Sequence, residues 1–150
     1  MTWLITGGAG YIGAHVVLET IRSGRSAVVL DDLSTGIKER LPESVPLEVI
    51  TLTDRDAVHE LFDKYSFSGV LHLAAKKQVG ESVDRPDYYW EQNVYGLQNL
   101  VDAMVTHEVK NFVFSSSAAV YGQPDLGDSG LITEDVSCNP INPYGLTKLE

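Results

Sequence analysis

The chain has 150 residues, 43% of them hydrophobic and 21% charged, and it carries a formal net charge of -10. This length suits one packed domain, which we expect to cover residues 1–150. The acidic surface repels phosphate backbones and no basic cluster offsets it, so nucleic acid is not an expected partner. The uncharged start of the chain is interrupted by glycines and has no stop-transfer pattern. We therefore predict a cytoplasmic protein with no signal peptide or membrane span.

Neither cysteine nor histidine indicates a special site. Cys138 is the single cysteine, so an internal disulfide and a CxxC redox pair are both excluded. The four histidines are too scattered for metal-ligand spacing, and we predict no metal. They are His15, His59, His72 and His107.

The first half of the chain alternates strand and helix patterns. An apolar run at 3–6 leads into a glycine cluster, and apolar residues at helical spacing follow as far as Gly24. A second strand is predicted at 27–30 and a weaker third strand at 47–50. Thr53 with Asp56 resembles a capping box at the start of the next helix.

The second half continues the alternation. A fourth strand is predicted at 70–73, and Pro86 suits the first turn of a helix. The predicted apolar stripe of that helix contains Val94, Leu97, Val101 and Met104. A fifth strand at 112–114, a loop at 122–142 and a helix opened by Pro143 complete the chain. Because right-handed crossovers place helices over both faces, this order predicts an α/β fold with a doubly wound parallel sheet.

The segment from Gly7 to Gly13 has glycines at GxxGxxG spacing between a predicted strand and a predicted helix. Gly7 suits a tight turn, Gly10 lets the main chain approach a pyrophosphate, and Gly13 allows close packing of the helix on the strand. The positive end of the helix would then hold the pyrophosphate. The pattern indicates a dinucleotide site.

Two acids follow the second strand. Asp31 stands where a carboxylate accepts hydrogen bonds from an adenine ribose, and its charge disfavours the extra phosphate of NADP. NAD is therefore the expected cofactor. Asp32 either shares this role or is a solvated turn residue.

Tyr144 and Lys148 are four residues apart on one face of the last predicted helix. A free tyrosine titrates at about pH 10, and a neighbouring ammonium group stabilises the phenolate. Tyr144 is thus a candidate general base. The fifth strand ends at Ser115–Ser117, where a hydroxyl can position a substrate alcohol.

Taken together, the turn at 6–13, Asp31, Ser117, and Tyr144 with Lys148 resemble the extended short-chain dehydrogenase/reductase family. Within that family, the segment at 72–82 is most similar to epimerases of UDP-sugars. The resemblance implies a Rossmann-type sheet of strand order 3-2-1-4-5, bound NAD, and a homodimer.

The resemblance also implies roles for particular residues. Tyr144 is the implied base, Lys148 its electrostatic partner and ribose ligand, and Ser117 the second catalytic hydroxyl. Substrate contacts are expected from Lys77, Ser117 and Tyr144. The implied cofactor-binding residues are Gly7, Gly10, Tyr11, Ile12, Gly13, Asp31, Asp32, Leu33, Ser34, Thr35, Gly36, Leu73, Ala74, Ala75, Lys76, Lys77, Gln92, Asn93, Tyr144 and Lys148.

The reaction implied by this resemblance inverts the 4-hydroxyl of a UDP-sugar through a 4-keto intermediate, with transient hydride transfer to NAD. A dehydratase would carry an acidic pair beside the central hydroxyl, whereas Ala118 and Ala119 follow Ser117. Another NAD-dependent nucleotide-sugar epimerase or dehydratase, and a non-catalytic NAD-binding fragment, remain alternatives.

Two features depart from the family pattern. An acidic residue usually follows the third strand to contact adenine, and here the sequence at 50–53 is Ile-Thr-Leu-Thr. Family members are also considerably longer. We therefore expect residues 1–150 to be the NAD-binding part, without the substrate domain and inactive alone.

Overall fold

The computed structural model describes residues 1–125 and 130–150. Contacts divide the chain into two compact units. Unit 1 contains Met1–Ala75 and Tyr95–Ser115, and unit 2 contains Lys76–Val94 and Ser116–Glu150. Residues 126–129, which belong to the predicted loop at 122–142, lie outside the described residues.

Unit 1 is built on a five-stranded sheet with the order β3-β2-β1-β4-β5, in which every neighbouring pair is parallel. This order confirms the predicted doubly wound fold. The strands are β1 (Thr2–Thr6), β2 (Ser26–Leu30), β3 (Leu47–Glu48), β4 (Gly69–His72) and β5 (Phe112–Phe114).

Successive residues of the central strands face opposite sides of the sheet, so both sides carry a core. Leu4 and Val28 belong to one buried cluster, which includes residues of α2 (Arg55–Lys64) and α5 (Gly96–Thr106). Ile5 belongs to the other, with Val17 of α1 (Tyr11–Arg22).

Unit 2 consists of short helices and loops. Its helices are α3 (Val79–Asp84), α4 (Pro86–Trp90) and α6 (Pro143–Leu149), with a 3₁₀ turn at Ala118–Tyr121. A π-helical segment, Glu91–Tyr95, follows α4 and leads to α5. The described parts of the predicted loop, 122–125 and 130–142, contain no helix or strand.

The structure corrects two predictions in the first half of the chain. The third strand ends at Glu48 because only Val29 and Leu30 of β2 pair with it. The cap of α2 is Asp54, whose side chain accepts a hydrogen bond from the N–H of Ala57 at 3.1 Å, rather than Thr53.

Of the predicted stripe on the helix before β5, Val94 and Met104 are buried and Leu97 is half-buried, so only Val101 was wrong. Leu100 and Ala103 are buried, whereas Val101 is 40% exposed. The π-helical segment Glu91–Tyr95 ends immediately before α5, so helical spacing is not regular along the whole predicted stripe. The sequence analysis also missed α3, which is only six residues long.

We predict that Gly13→Ala destabilises unit 1. A β-carbon at Gly13 would overlap the carbonyl oxygen of Gly7 and lie 2.7 Å from the Cα of Gly8. The expected loss is about 1–3 kcal/mol of unfolding free energy, measured by urea denaturation. Gly80→Ala is the control, because a β-carbon there meets nothing within 4 Å. Equal losses in both variants would contradict the packing argument.

Candidate functional site

The glycine turn joins β1 to α1 through a close approach of main chains. Gly7 has a φ of +70°, and its N–H donates to the carbonyl of Leu30 at 2.8 Å. A β-carbon at Gly7 would lie 2.7 Å from the nitrogen of Ala74. Gly7 is therefore required both by its left-handed conformation and by its contact with the chain that leaves β4.

The first turn of α1 is open to an anion. Gly10 caps the helix without any side-chain hydrogen bond, and no acidic residue lies in the first turn. Tyr11 and Ile12 are 70% and 63% exposed. The helix dipole and the first main-chain N–H groups are thus not neutralised by the protein itself, which suits a pyrophosphate.

Asp31 is buried and holds the turn together. One carboxylate oxygen accepts from the N–H of Ala9 at 2.9 Å, and the other accepts from Leu33 at 2.9 Å. Sequence reasoning had assigned this side chain only to a ribose. Its bond to Ala9 depends on the pairing of β1 with β2, which the sequence does not show.

The segment after Asp31 covers the glycine turn. Asp32 is exposed and accepts from the main-chain N–H of Ser34 at 2.9 Å. A β-carbon at Gly36 would lie 2.5 Å from the carboxylate of Asp31, and Ile37 donates to the carbonyl of Ala9 at 2.9 Å. Unit 1 therefore brings the predicted residues of this segment, Thr35 included, next to the glycine turn.

A buried polar pair, which the sequence analysis did not identify, lies at the ends of β1 and β4. The hydroxyl of Thr6 is 2.7 Å from Nδ1 of His72, and it accepts from the N–H of Ala74 at 3.3 Å. Leu73 donates to the carbonyl of Thr6 at 3.1 Å. These bonds fix the half-buried stretch Leu73–Ala75 beside Gly7.

In unit 2, α6 begins at a defined cap. The side chain of Asn142 accepts from the N–H of Gly145 at 2.7 Å, and Pro143 occupies the first turn as predicted. A β-carbon at Gly145 would lie 2.6 Å from the carbonyl oxygen of Ala119. The start of α6 thus packs against the 3₁₀ turn, whose cap is Ser117.

Lys148, the charged residue of α6, is almost completely buried. It is 6% exposed, and burial lowers its pKa to about 8. The ammonium form still predominates at pH 7, below that pKa. Lys148 lies one helical turn after Tyr144, which is half-buried. This spacing places the two side chains on the same face of α6.

Asn93 connects three parts of unit 2. Its side-chain oxygen accepts from the N–H of Lys76 at 2.8 Å, and its amide nitrogen donates to the carbonyl of Lys76 at 2.9 Å and to the hydroxyl of Thr147 at 3.0 Å. Gln92 is half-buried beside it, and Lys77 is exposed. Thr147 was not a predicted site residue, because its bond to Asn93 joins positions far apart in the sequence.

The predicted site residues therefore form two groups. Unit 1 brings together the glycine turn, 31–36 and 73–75, whereas unit 2 brings together Ser117, Tyr144 and Lys148 around α6. Within the described ranges, no three His, Cys, Asp or Glu side chains could hold a metal ion. In the same ranges, no helix is long and apolar enough to cross a membrane.

The family model described as "NAD dependent epimerase/dehydratase family" matches residues 3–150. The chain belongs to this family, and its sheet is the Rossmann-type sheet that the resemblance implied.

Particular relatives are UDP-glucose 4-epimerases. The one from Corynebacterium glutamicum is 44% identical over 149 residues, which is 99% of this chain and 44% of that protein. The one from Mus musculus is 42% identical over 158 residues, covering 97% and 45%. The crystal structure of the Thermus thermophilus UDP-glucose 4-epimerase in complex with NAD superposes with a TM-score of 0.94 at 36% identity, covering 99% of this chain and 47% of that one. The chain thus spans less than half the length of these relatives.

We predict that burial of Lys148 makes stability depend on pH. Its pKa is about 8 in the folded chain against 10.5 for an unperturbed lysine. The folded state therefore binds fewer protons between these values, and stability rises with pH there. The penalty, on the order of 3 kcal/mol, is fully present below pH 8 and is relieved as the pH approaches 10.5.

Lys148→Met lacks this penalty and should be more stable than the parent at pH 7. The measurement is the free energy of unfolding in urea from pH 7 to 10 for both proteins, because the difference between them cancels other titrating groups. A difference that does not change with pH would contradict the assigned burial.

Proposed function

We propose that the protein acts as a UDP-glucose 4-epimerase, interconverting UDP-galactose and UDP-glucose with bound NAD. The observation that carries this proposal is the pairing of Tyr144 with buried Lys148 on α6, in a chain of the NAD-dependent epimerase/dehydratase family. The choice of UDP-sugar is supported by the relatives, which bear that name at 44% and 42% identity.

Unit 1 residues would hold NAD. The pyrophosphate suits the uncapped start of α1, where no acid opposes it. The carboxylate of Asp31 would accept hydrogen bonds from the hydroxyls of the adenine ribose while keeping its bonds to Ala9 and Leu33. Tyr11 and Ile12, which are exposed apolar side chains, would be covered by the nucleotide.

Unit 2 residues would handle the proton. Tyr144 would accept the proton of the sugar 4-hydroxyl, and the ammonium group of Lys148 would stabilise the resulting phenolate. Ser117 would donate a hydrogen bond to the same sugar oxygen, and Lys77 would contact the substrate. Bound NAD would reversibly accept the hydride from C4 of the sugar, so that the 4-keto sugar can be reduced on either face.

Three wider properties belong to the same proposal. We propose that the protein works in the cytoplasm, that it contributes to galactose metabolism and that it forms a homodimer. The homodimer rests on the resemblance to the family. Light scattering of the protein at its natural length tests it, and a monomer at micromolar concentration would refute it.

We predict that NAD binds more tightly than NADP, because the 2′-phosphate would face the charge of Asp31. Asp31→Asn removes the charge but keeps an acceptor for one main-chain N–H. It should therefore lower the affinity for NAD and reduce the preference for NAD over NADP. Losing a charged hydrogen bond costs about 1.5–3 kcal/mol. Titration calorimetry with both nucleotides measures the effect.

Asp32→Asn is the matched comparison, because it removes the neighbouring charge and so distinguishes a shared ribose role from that of a turn residue that accepts from Ser34. It should leave the preference near that of the parent. The assignment of Asp31 fails if the parent binds NADP as tightly as NAD.

We predict that Tyr144→Phe, in the protein at its natural length, retains NAD but loses epimerisation of UDP-galactose by roughly 10²- to 10⁴-fold. Lys148→Ala should differ, because Tyr144 remains and must lose its proton without a neighbouring cation. Its activity should recover partly as the pH is raised, whereas that of Tyr144→Phe should not. Coupled assays from pH 6 to 10 measure both profiles.

Ser117→Ala removes a hydrogen bond rather than a charge, so its turnover should fall while its pH optimum stays near that of the parent. Near-parental activity in Tyr144→Phe would refute the assigned roles. If the parent protein binds NAD and turns over another nucleotide sugar but not UDP-galactose, it is instead the alternative NAD-dependent epimerase.

A further inference from the structure

Ser82 is a fully buried hydroxyl on α3 that the proposed chemistry does not use. Its Oγ donates to the carbonyl of Val79 at 2.6 Å and accepts from the main-chain N–H of Tyr144 at 3.2 Å. Its exposed fraction is 0%. A buried hydroxyl with both a donated and an accepted bond has one defined orientation, because its hydrogen must point at Val79.

The bond to Tyr144 completes the first turn of α6. A helix begins with N–H groups that have no partner within the helix. Pro143 has no N–H, and the N–H groups of Gly145 and Leu146 bond to the side chain and carbonyl of Asn142. The N–H of Tyr144 is the one that remains, and its acceptor is Ser82, 62 residues earlier in the chain.

Ser82 itself is held in place by the segment around α3. Its N–H donates to the carbonyl of Gln78 at 3.0 Å. The hydroxyl of Tyr89, also fully buried, accepts from the N–H of Gln78 and donates to Glu81, each at 2.9 Å. Both ends of the first turn of α3 are thereby fixed, and Ser82 offers its oxygen from a rigid support.

The two functional residues of α6 have separate attachments. The main chain of Tyr144 bonds to Ser82, whereas the carbonyl of Lys148 accepts from the hydroxyl of Ser116 at 3.3 Å. Loss of the first bond would remove one attachment of the start of the helix and leave the attachment of its end in place. The main chain that carries the phenol of Tyr144 would then be held less firmly relative to Lys148.

We propose that Ser82 is a positioning residue for Tyr144, fixing the main chain from which the phenol is presented to the sugar hydroxyl. This inference rests on the proposed function, in which Tyr144 is the general base. It predicts an effect on turnover rather than on binding, because Ser82 contacts the helix and not the ligand.

The test uses NAD-loaded protein at its natural length. Ser82→Ala removes the acceptor, and Ser82→Cys keeps a similar volume with a weak sulfur acceptor. Both should lower kcat for UDP-galactose, Ser82→Ala by about ten- to a hundredfold, with KM and bound NAD nearly unchanged. Ser82→Thr keeps the hydroxyl and should recover most of the turnover.

Residue-resolved amide hydrogen exchange supplies a readout that does not depend on activity. Exchange at the N–H of Tyr144 should become about tenfold faster in Ser82→Ala. Thr20→Val is the matched control, because the hydroxyl of Thr20 donates to the carbonyl of Val16 at 2.8 Å within α1 and does not contact Tyr144. It should leave kcat and exchange at Tyr144 unchanged.

Unchanged exchange at Tyr144 in Ser82→Ala would overturn the proposal, as would faster exchange with parental kcat. A fall in kcat matched by Thr20→Val would also overturn it, since loss of stability alone would then explain both. If the parent protein epimerises no UDP-sugar, the proposed function fails, and the exchange data still decide whether Ser82 holds Tyr144.

Discussion

The contact between Gly7 and Gly13, in which main chain packs on main chain, underlies the arrangement of unit 1. No β-carbon fits at Gly13 against the carbonyl of Gly7, and none fits at Gly7 against Ala74. The start of α1 can therefore pack closely on the end of β1, and the turn after β1 can pack closely on the chain that leaves β4. No side chain caps this helix start and no acidic residue lies in its first turn, an arrangement that suits a bound anion.

The polar side chains near this contact already accept hydrogen bonds from main-chain N–H groups. Asp31 accepts from Ala9 and Leu33, and the hydroxyl of Thr6 accepts from Ala74. A buried acceptor that lost these donors would incur a desolvation cost. The same bonds hold the loops after β2 and β4 in fixed conformations, so a nucleotide would meet groups that are already oriented.

Unit 2 depends on a similar use of hydrogen bonds around one buried charge. Lys148 lies almost out of water, which destabilises its ammonium form and lowers its pKa to about 8. The helix that carries it is short, so its position depends on bonds from outside it. Ser82, Asn93 and Ser116 supply these bonds. In the proposed function, a phenolate at Tyr144 would stabilise the ammonium group and so offset part of the cost of burying it.

The sequence by itself determined the sheet and the identity of the principal site candidates. Short apolar runs alternate with segments of helical periodicity, and this order predicted parallel strands. A glycine pattern between a strand and a helix is typical of a dinucleotide-binding turn. Tertiary structure alone decided the rest. The short α3 has too few residues for a periodic signal. The buried face of α5, which includes Leu100 but not Val101, begins after a π-helical segment that no local preference reveals. Ser82, Thr147 and the second role of Asp31 depend on hydrogen bonds between residues far apart in sequence, and a local pattern cannot encode a partner that only the folded chain brings near.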